Sequence, residues 1–292
     1  MSDLYAALEA IARDTALPTT TICEVLDLSR SAYYDWLNHE PGAREHEIED
    51  LTPTIVEIFL HHRRRYGARR IADELKDRRI VCSAKRVAHV LKNQGLRAIQ
   101  PKSFVPKTTD SRHGLGFSPN LLLEADGPNA VDQLWVGDIT YLPLQGGGFL
   151  YLAALMDRYS RDILAWAIED TMTEPLVLSV LRRAIREHQP KAGLIHHTDR
   201  GGQYAGTQYR AVLRRAHMKQ SMSRADNCYD NAFMESCWGT FKRELQMTEY
   251  ESRAAARTIV AEYVRYYRFE RKHSSIGYLT PHQFATRNRT RK

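Results

Sequence analysis

Three acidic residues stand at positions where an acid seldom serves a purely structural purpose. Asp138 lies within the apolar segment LWVGDITYL, which is expected to form a strand. Aspartate is disfavoured in strands and is costly to bury without a partner. Asp199 ends a second short strand in HHTDRGGQY, and Glu235 lies on an expected helix in DNAFMESCWGTFKREL. On residue chemistry alone, Asp199 and Glu235 could equally be ordinary surface or capping acids.

Gathered carboxylates of this kind are suited to phosphoryl transfer. Mg²⁺ prefers oxygen ligands at about 2.0–2.1 Å. Two such ions roughly 3.5–4 Å apart can stabilise both the attacking and the leaving oxygen of a phosphodiester. We therefore expect Asp138 to bridge two ions, with Asp199 and Glu235 each completing one side of the site.

Two further polar residues share the helical face of Glu235. Lys242 follows Glu235 by seven residues, or two helical turns, and Asn231 precedes it by four. We expect Lys242 to hold the substrate phosphate beside the metal ions and Asn231 to help position the scissile strand. A solvated surface lysine is the alternative interpretation of Lys242.

The elements that must position these residues follow an α/β pattern. The segments QLWVGDITYLPL, FLYLAALMDRYS and ILAWAIED are separated by turn sequences and predict three strands in an antiparallel meander. A helix, the short strand LIHHTD and a second helix, GTQYRAVLRRAHM, come next. The segment KQSMSRADNCYD is expected to be a polar connection, and two more helices follow it.

The N-terminal third of the chain is predicted to be helical and basic. Residues 1–42 predict a helix-turn-helix-like unit whose last helix is capped by Ser29, and residues 43–97 predict a second unit. From His61 to Lys102 there are 13 Lys and Arg against three acids, a net +10 within a chain of net +7, so the remainder carries −3. A concentrated basic segment is typical of proteins that bind a phosphate backbone. The candidate DNA-binding residues are Arg63, Arg64, Arg65, Arg69, Arg70, Lys85, Arg86 and Lys92.

The remaining composition excludes several classes of protein. Hydrophobic residues make up 43% of the chain, which is too many for a disordered protein. No apolar stretch approaches the roughly 18 residues of a membrane span, and the N-terminus lacks the pattern of a secretory signal. The four cysteines, Cys23, Cys82, Cys228 and Cys237, are scattered and predict free thiols in a reducing cytoplasm.

The motifs around the three acids resemble the integrase core of bacterial insertion-sequence transposases of the insertion-sequence-three type. The shared motifs are LWVGDITYLPL, HHTDRGGQY, SRADNCYDNAFMESCWGTFKREL, YYRFERKHSSIGYLTPHQF and, upstream, HRRRYGARRIADEL. Thirty-five residues (200 through 234) separate Asp199 from Glu235, the spacing that the family shares with retroviral integrases. The resemblance covers roughly residues 45–290.

This resemblance implies an RNase-H-like mixed five-stranded sheet flanked by helices, preceded by the all-α helix-turn-helix units. It also implies DNA strand cleavage and strand transfer at element ends with Mg²⁺ or Mn²⁺, and a chain that is the product of an element's second reading frame. The expected domains are the two helical units, a linker at 98–125, and a catalytic domain at 126–292 with a C-terminal helical extension. One departure from retroviral integrases is that no separate His-His-Cys-Cys zinc domain is predicted. No zinc is assigned, because no cysteine lies at ligand spacing from the histidines His61, His62, His196 and His197.

The expected partners are double-stranded DNA, further copies of this chain on that DNA, and an upstream helix-turn-helix reading-frame product. Two alternatives remain open at this stage. A DNA-binding regulator would use the helical units with an inactive core, although all three acids and Lys242 are present. A structure-selective nuclease of the same fold would need no recognition of element ends.

Overall fold

A five-stranded mixed sheet forms the centre of the catalytic region in the computed structural model, which describes residues 2–15, 17–100, 116–123, 127–224, 231–246 and 249–289. The strand order is β3-β2-β1-β4-β5. Strands β1, β2 and β3 pair antiparallel, while β4 and β5 continue the sheet in parallel on the other side of β1. The strands are β1 (Leu134–Pro143), β2 (Phe149–Asp157), β3 (Ile163–Glu169), β4 (Ile195–Thr198) and β5 (Lys219–Met222). The predicted antiparallel meander and the mixed five-stranded sheet are confirmed.

Helices precede the sheet, connect its strands and follow it. They are α1 (Ser2–Thr15), α2 (Thr19–Val25), α3 (Arg30–Leu37), α4 (Ala43–His61), α5 (Ala68–Asp77), α6 (Ala84–Asn93), α7 (Glu174–His188), α8 (Gly202–Ala205), α9 (Thr207–Arg215), α10 (Ala232–Glu244), α11 (Arg253–Phe269) and α12 (Pro281–Arg289). No helix in these described ranges is long and apolar enough to cross a membrane.

Helices cover both faces of the sheet, which explains why β2 is apolar along almost its whole length. Residues of α7, α8 and α9 pack on one face with Trp135 of β1. Residues of α10 and α11 pack on the other face with Leu134 and Val136. Because successive side chains of a strand point to opposite faces, Asp138 belongs to the face of Leu134 and Val136, under α10.

The first three helices form a small cluster of their own. Leu8, Ile22, Cys23 and Tyr33 are buried together, and the Ser29 hydroxyl accepts a hydrogen bond from the backbone N–H of Ala32 at the start of α3. The predicted Ser29 cap is therefore confirmed. Because Tyr33 is 3% exposed, its ring serves packing within this unit.

The second helical unit, α4 to α6, packs against the C-terminal part of the catalytic region. Its buried residues belong to the same hydrophobic cluster as those of α10 and α11. The Lys272 ammonium fastens the contact, lying 2.7 Å from Asp73, 3.4 Å from Glu74 and 2.5 Å from Asp77 on α5. The Tyr66 hydroxyl donates to the carbonyl of Glu270 and accepts from the N–H of Lys272.

Two expectations from the sequence were incomplete. The segment expected to be a polar connection contains strand β5, whose backbone pairs with β4, so its polarity reflects an edge strand. The expected linker is also partly structured, because the N–H of Leu121 donates to the Ser221 hydroxyl of β5 at 2.9 Å. The rest of that segment, at 101–115 and 124–126, lies outside the described residues.

Replacing Lys272 with methionine should weaken the attachment of α5, because three carboxylates would lose their shared cation. We expect Lys272→Met to lower the free energy of unfolding by about 2–3 kcal/mol, measured by urea denaturation. The matched control is Lys76→Met, which removes the same charge from an exposed position of α5. Equal losses in the two variants would contradict the attachment.

Candidate active site

Asp138 occupies the middle of the central strand, between its antiparallel and parallel neighbours. It is opposite Ala154 of β2, and its side chain is half-buried. Its Oδ1 accepts the backbone N–H of Ile139 at 2.8 Å, and its Oδ2 accepts the indole N–H of Trp238 at 3.1 Å. One carboxylate oxygen is therefore fixed by the strand and the other by α10.

Asp199 directly follows the last residue of β4, which is the parallel neighbour of β1. Val136 of β1 pairs with His197 of β4. Because the two strands are parallel, Asp138 and Asp199 each lie two residues beyond this pair. The carboxylate of Asp199 accepts the N–H of Gly201 at 3.0 Å. At Gly137 an added Cβ would lie 3.1 Å from the His196 ring, which accounts for a glycine beside Asp138 in this tightly packed pair of strands.

Glu235 comes from a third element, the first turn of α10, and is exposed. Helix α10 contributes Met234, Cys237, Trp238 and Phe241 to the hydrophobic cluster that includes β1. This packing leaves Glu235 on the side of α10 that also carries Trp238, the donor to Asp138. Partial burial raises the pKa of the Glu235 carboxyl.

The three carboxylates interact electrostatically at Asp138. Burial, followed by the negative charge of Asp199, raises the pKa of Asp138 well above its usual range. The hydrogen bonds from Ile139 and Trp238 oppose this increase, and the charge of Glu235 adds to it. Like charges held together in this way make a site that a cation would stabilise.

The charge of Asp138 acts on Lys242, while Asn231 is more deeply buried. The Lys242 ammonium is 4.2 Å from the centre of the Tyr141 ring. Burial lowers the pKa of Lys242, and the nearby charge of Asp138 partly offsets this effect. Asn231 is 6% exposed, and its Oδ1 has no hydrogen-bond partner among the described residues. A buried amide oxygen without a partner is an acceptor that a bound group could use.

The three acids interact with one another but do not form a complete set of metal ligands. Across the ranges that the structure describes, no three His, Cys, Asp or Glu residues lie close enough together to hold a metal ion. The donor set nevertheless has the chemistry of a magnesium site, since it offers carboxylate oxygens and no sulfur or imidazole. Small rotations of the exposed Glu235 side chain would change its reach without disturbing the core.

The sequence did not indicate two contacts of this site. Trp238 and Tyr141 both appear in the apolar pattern of their elements, so nothing marked them as partners of Asp138 and Lys242. Trp238 follows Glu235 by three residues, and this helical spacing is the one signal that could have placed it on the same face.

The candidate DNA-binding residues divide into two groups. Arg63, Arg64, Arg69, Lys85 and Lys92 are exposed. The other three face protein: Arg65 stacks on the Tyr266 ring at 4.6 Å, Arg70 lies over Tyr66, and Arg86 pairs with Glu47 at 2.6 Å.

The four histidines considered for zinc form two adjacent pairs, His61 with His62 at the end of α4 and His196 with His197 on β4. His62 stacks on Tyr66 and His196 bonds to the Tyr209 hydroxyl at 2.7 Å. His197 bonds to the Ser221 hydroxyl at 2.8 Å. Burial lowers the pKa of His62 and of His196 to about 3, so both rings are neutral near pH 7.

Three antiparallel strands followed by two parallel ones, with helices on both faces, define the class of RNase-H-like folds. Residues 128–228 match the integrase core domain family, and residues 216–281 match a second integrase core domain family. Residues 46–104 match an HTH-like domain family. The class is therefore that of integrase-like enzymes with an attached helix-turn-helix-like region.

Relatives at higher identity specify the family. The chain is 37% identical to the Escherichia coli transposase InsF for insertion sequence IS3A, over 91% of this chain and 93% of the relative. It is 41% identical to an uncharacterized 31 kDa protein of insertion element IS600 from Shigella sonnei, over 90% and 97%. The chain belongs to the IS3-type insertion-sequence transposases, so the predicted fold and the predicted transposase/integrase function are confirmed.

Solved retroviral structures are more distant. The HTLV-2 integrase catalytic core domain in complex with magnesium aligns at 13% identity with a TM-score of 0.42, covering 55% of this chain and 99% of that one. The simian T-cell lymphotropic virus intasome aligns at 15% identity with a TM-score of 0.44, covering 80% and 74%.

Removing the indole donor should disturb the placement of Asp138. We expect Trp238→Phe to reduce DNA cleavage about tenfold, because hydrogen bonds that orient a functional side chain typically matter to that extent. The measurement is the single-turnover rate of nicking, with Trp166→Phe on β3 as the matched control. Similar rates in the two variants would show that the hydrogen bond has no role in positioning Asp138.

Proposed function

We propose that this transposase cleaves DNA at the ends of its element and joins the new ends to a target, using Mg²⁺ or Mn²⁺ held by Asp138, Asp199 and Glu235. The observation that carries this proposal is that Asp199, directly after β4, and Glu235 of α10 both act electrostatically on the half-buried Asp138 of β1. Nothing in the hydrophobic core requires an acid there, whereas cation binding does.

Each carboxylate has a defined part in this proposal. Asp138 would contact both cations, while Asp199 and Glu235 would each complete one side. When bound, the cations would polarise the phosphoryl oxygen and make a water or a 3′-hydroxyl more acidic. The protein's own task is to hold the reacting groups in line.

Lys242 and Asn231 would position the strand that is cut. The Lys242 ammonium, held against Tyr141 near Asp138, would pair with a phosphate oxygen next to the scissile bond. Asn231 would use its unbonded Oδ1 to orient the neighbouring nucleotide. In the first step water attacks the phosphorus and displaces the 3′-oxygen of the element's end, which leaves as a 3′-hydroxyl. In the second step that 3′-hydroxyl attacks a phosphodiester of the target and displaces the 3′-oxygen of the target strand.

The helical units would supply sequence-independent affinity for double-stranded DNA. Arg63, Arg64, Arg69, Lys85 and Lys92 are exposed on the second unit and available to phosphates. We propose that Arg65, Arg70 and Arg86 also contribute to DNA binding, from positions where they contact protein side chains. The domain boundaries at 42/43, 97/98 and 125/126, assembly of several copies on DNA in the bacterial cytoplasm, and fusion to an upstream reading-frame product belong to the same proposal.

Neutralising the central acid should abolish the chemistry while preserving the fold. We expect Asp138→Asn to lower cleavage and strand transfer by at least about a thousandfold, measured on labelled DNA carrying the element's ends with Mg²⁺ or Mn²⁺. Asp170→Asn, at an exposed position, is the matched control. Metal-independent cleavage, or equal activity in both variants, would overturn the carboxylate mechanism.

DNA binding should weaken steeply as salt increases, because each phosphate contact releases counterions. We expect log K against log salt to become shallower by about 0.9 for each of Arg69→Gln and Lys92→Gln. Fluorescence anisotropy over roughly 50–200 mM salt provides the slopes. Arg182→Gln on α7 is the control and should leave the slope unchanged. If the affinity of the unaltered chain did not change with salt, the proposal that the basic residues bind DNA phosphates would be wrong.

A further inference from the structure

A cationic cavity of about 370 Å³ lies between α5, α10 and the segment that follows α11. Four arginines line it: Arg70, Arg161, Arg243 and Arg271. Hydroxyl groups of Ser236, Thr240 and Ser274 are also present, and the described lining includes no aspartate or glutamate. The cavity therefore combines several positive charges with neutral hydrogen-bond donors.

Only one of these arginines has a full ionic partner among the contacts of the described chain. Arg271 forms a buried pair with Glu244, with nitrogen–oxygen distances of 2.7–3.0 Å. Arg70 and Arg161 each have a buried Nε for which the described part of the chain offers no hydrogen-bond partner. Buried donors are nearly always satisfied in folded proteins, so two in one cavity point to a bound acceptor.

The electrostatics of the cavity agree with this interpretation. Burial, followed by the positive charge of Arg271, lowers the pKa of Arg70, and burial also lowers the pKa of Arg161. Burial and then Arg271 lower the pKa of His273 to about 2, so this ring is neutral. The charges of Glu244 and Asp157 only partly offset these effects at Arg70 and Arg161, respectively. An anion in the cavity would add the ionic partner that the described residues do not provide.

We propose that this cavity binds a phosphate of the DNA backbone. The proposal rests on the function proposed above and adds a second contact point beside the carboxylates. Guanidinium groups bind phosphate through paired N–H donors, and the neighbouring hydroxyls can donate to the remaining oxygens.

Helix α10 links the cavity to the acidic site. Ser236, Thr240 and Arg243 recur every three to four residues and lie on one side of α10. Glu235, Trp238 and Lys242 lie on another side, a little more than about a third of a turn away. A strand that crosses α10 to reach the carboxylates can thus place another of its phosphates in the cavity, which favours the DNA backbone over a free anion.

The test scans the phosphates of a duplex that carries the element's end. Phosphates are replaced singly by uncharged methylphosphonates, and binding to the full chain is measured without divalent metal, so that the result does not depend on cleavage. We expect one position to cost the unaltered chain about tenfold in affinity. That same substitution should have almost no effect on Arg161→Gln or Arg243→Gln, while Arg182→Gln should respond like the unaltered chain.

The competing source of phosphate is tested in parallel with inorganic phosphate, by isothermal titration calorimetry of the chain alone. Methylphosphonate effects that are identical in all four proteins would overturn the proposal. Retained inorganic phosphate binding in that case would assign the cavity to a free anion. Loss of cleavage in Asp138→Asn with the scan result intact keeps the two proposals separate, because only the catalytic one concerns cleavage.

Discussion

A carboxylate in the middle of the central strand is the constraint to which the rest of the catalytic region is adapted. Asp138 is costly to bury, and the negative charges of Asp199 and Glu235 increase that cost. Two fixed donors, the Ile139 N–H and the Trp238 indole, stabilise its charged form. The apolar residues of α10 hold Trp238 in place. Hydrophobic packing therefore helps to offset the unfavourable free energy of burying the Asp138 carboxylate.

The helical unit and the catalytic region are joined by charges as well as by apolar contacts. Lys272 forms salt bridges with three acids of α5. The preceding residue, Arg271, forms a buried salt bridge with Glu244 at the end of α10. Breaking a buried pair leaves an uncompensated charge, so such contacts favour one arrangement of the two parts. The segment after α11 thereby connects the basic unit to the helix that carries Glu235.

Opposite charges lie on different sides of α10. Trp238 on one side of α10 donates to Asp138 of β1, and Ser236, Thr240 and Arg243 on another side line the cavity next to α5. This separation suits a polyanionic substrate, because cations bound at the carboxylates and guanidinium groups in the cavity would attract successive phosphates of one strand. The role of α10 is to fix the distance between the carboxylates and the arginine-lined cavity.

The sequence by itself determined the family, the three antiparallel strands, the Ser29 cap and the common helical face of Glu235 and Lys242. These features depend on local spacing, which a single sequence displays directly. Only the tertiary structure decided that KQSM forms a strand, that Arg65 and Arg70 pack inward, and that Asp157 and Asp162 are buried. It also decided that Trp238 bonds to Asp138, 100 residues away. Such contacts depend on partners distant in the chain, and local periodicity carries no information about which distant partner a side chain meets.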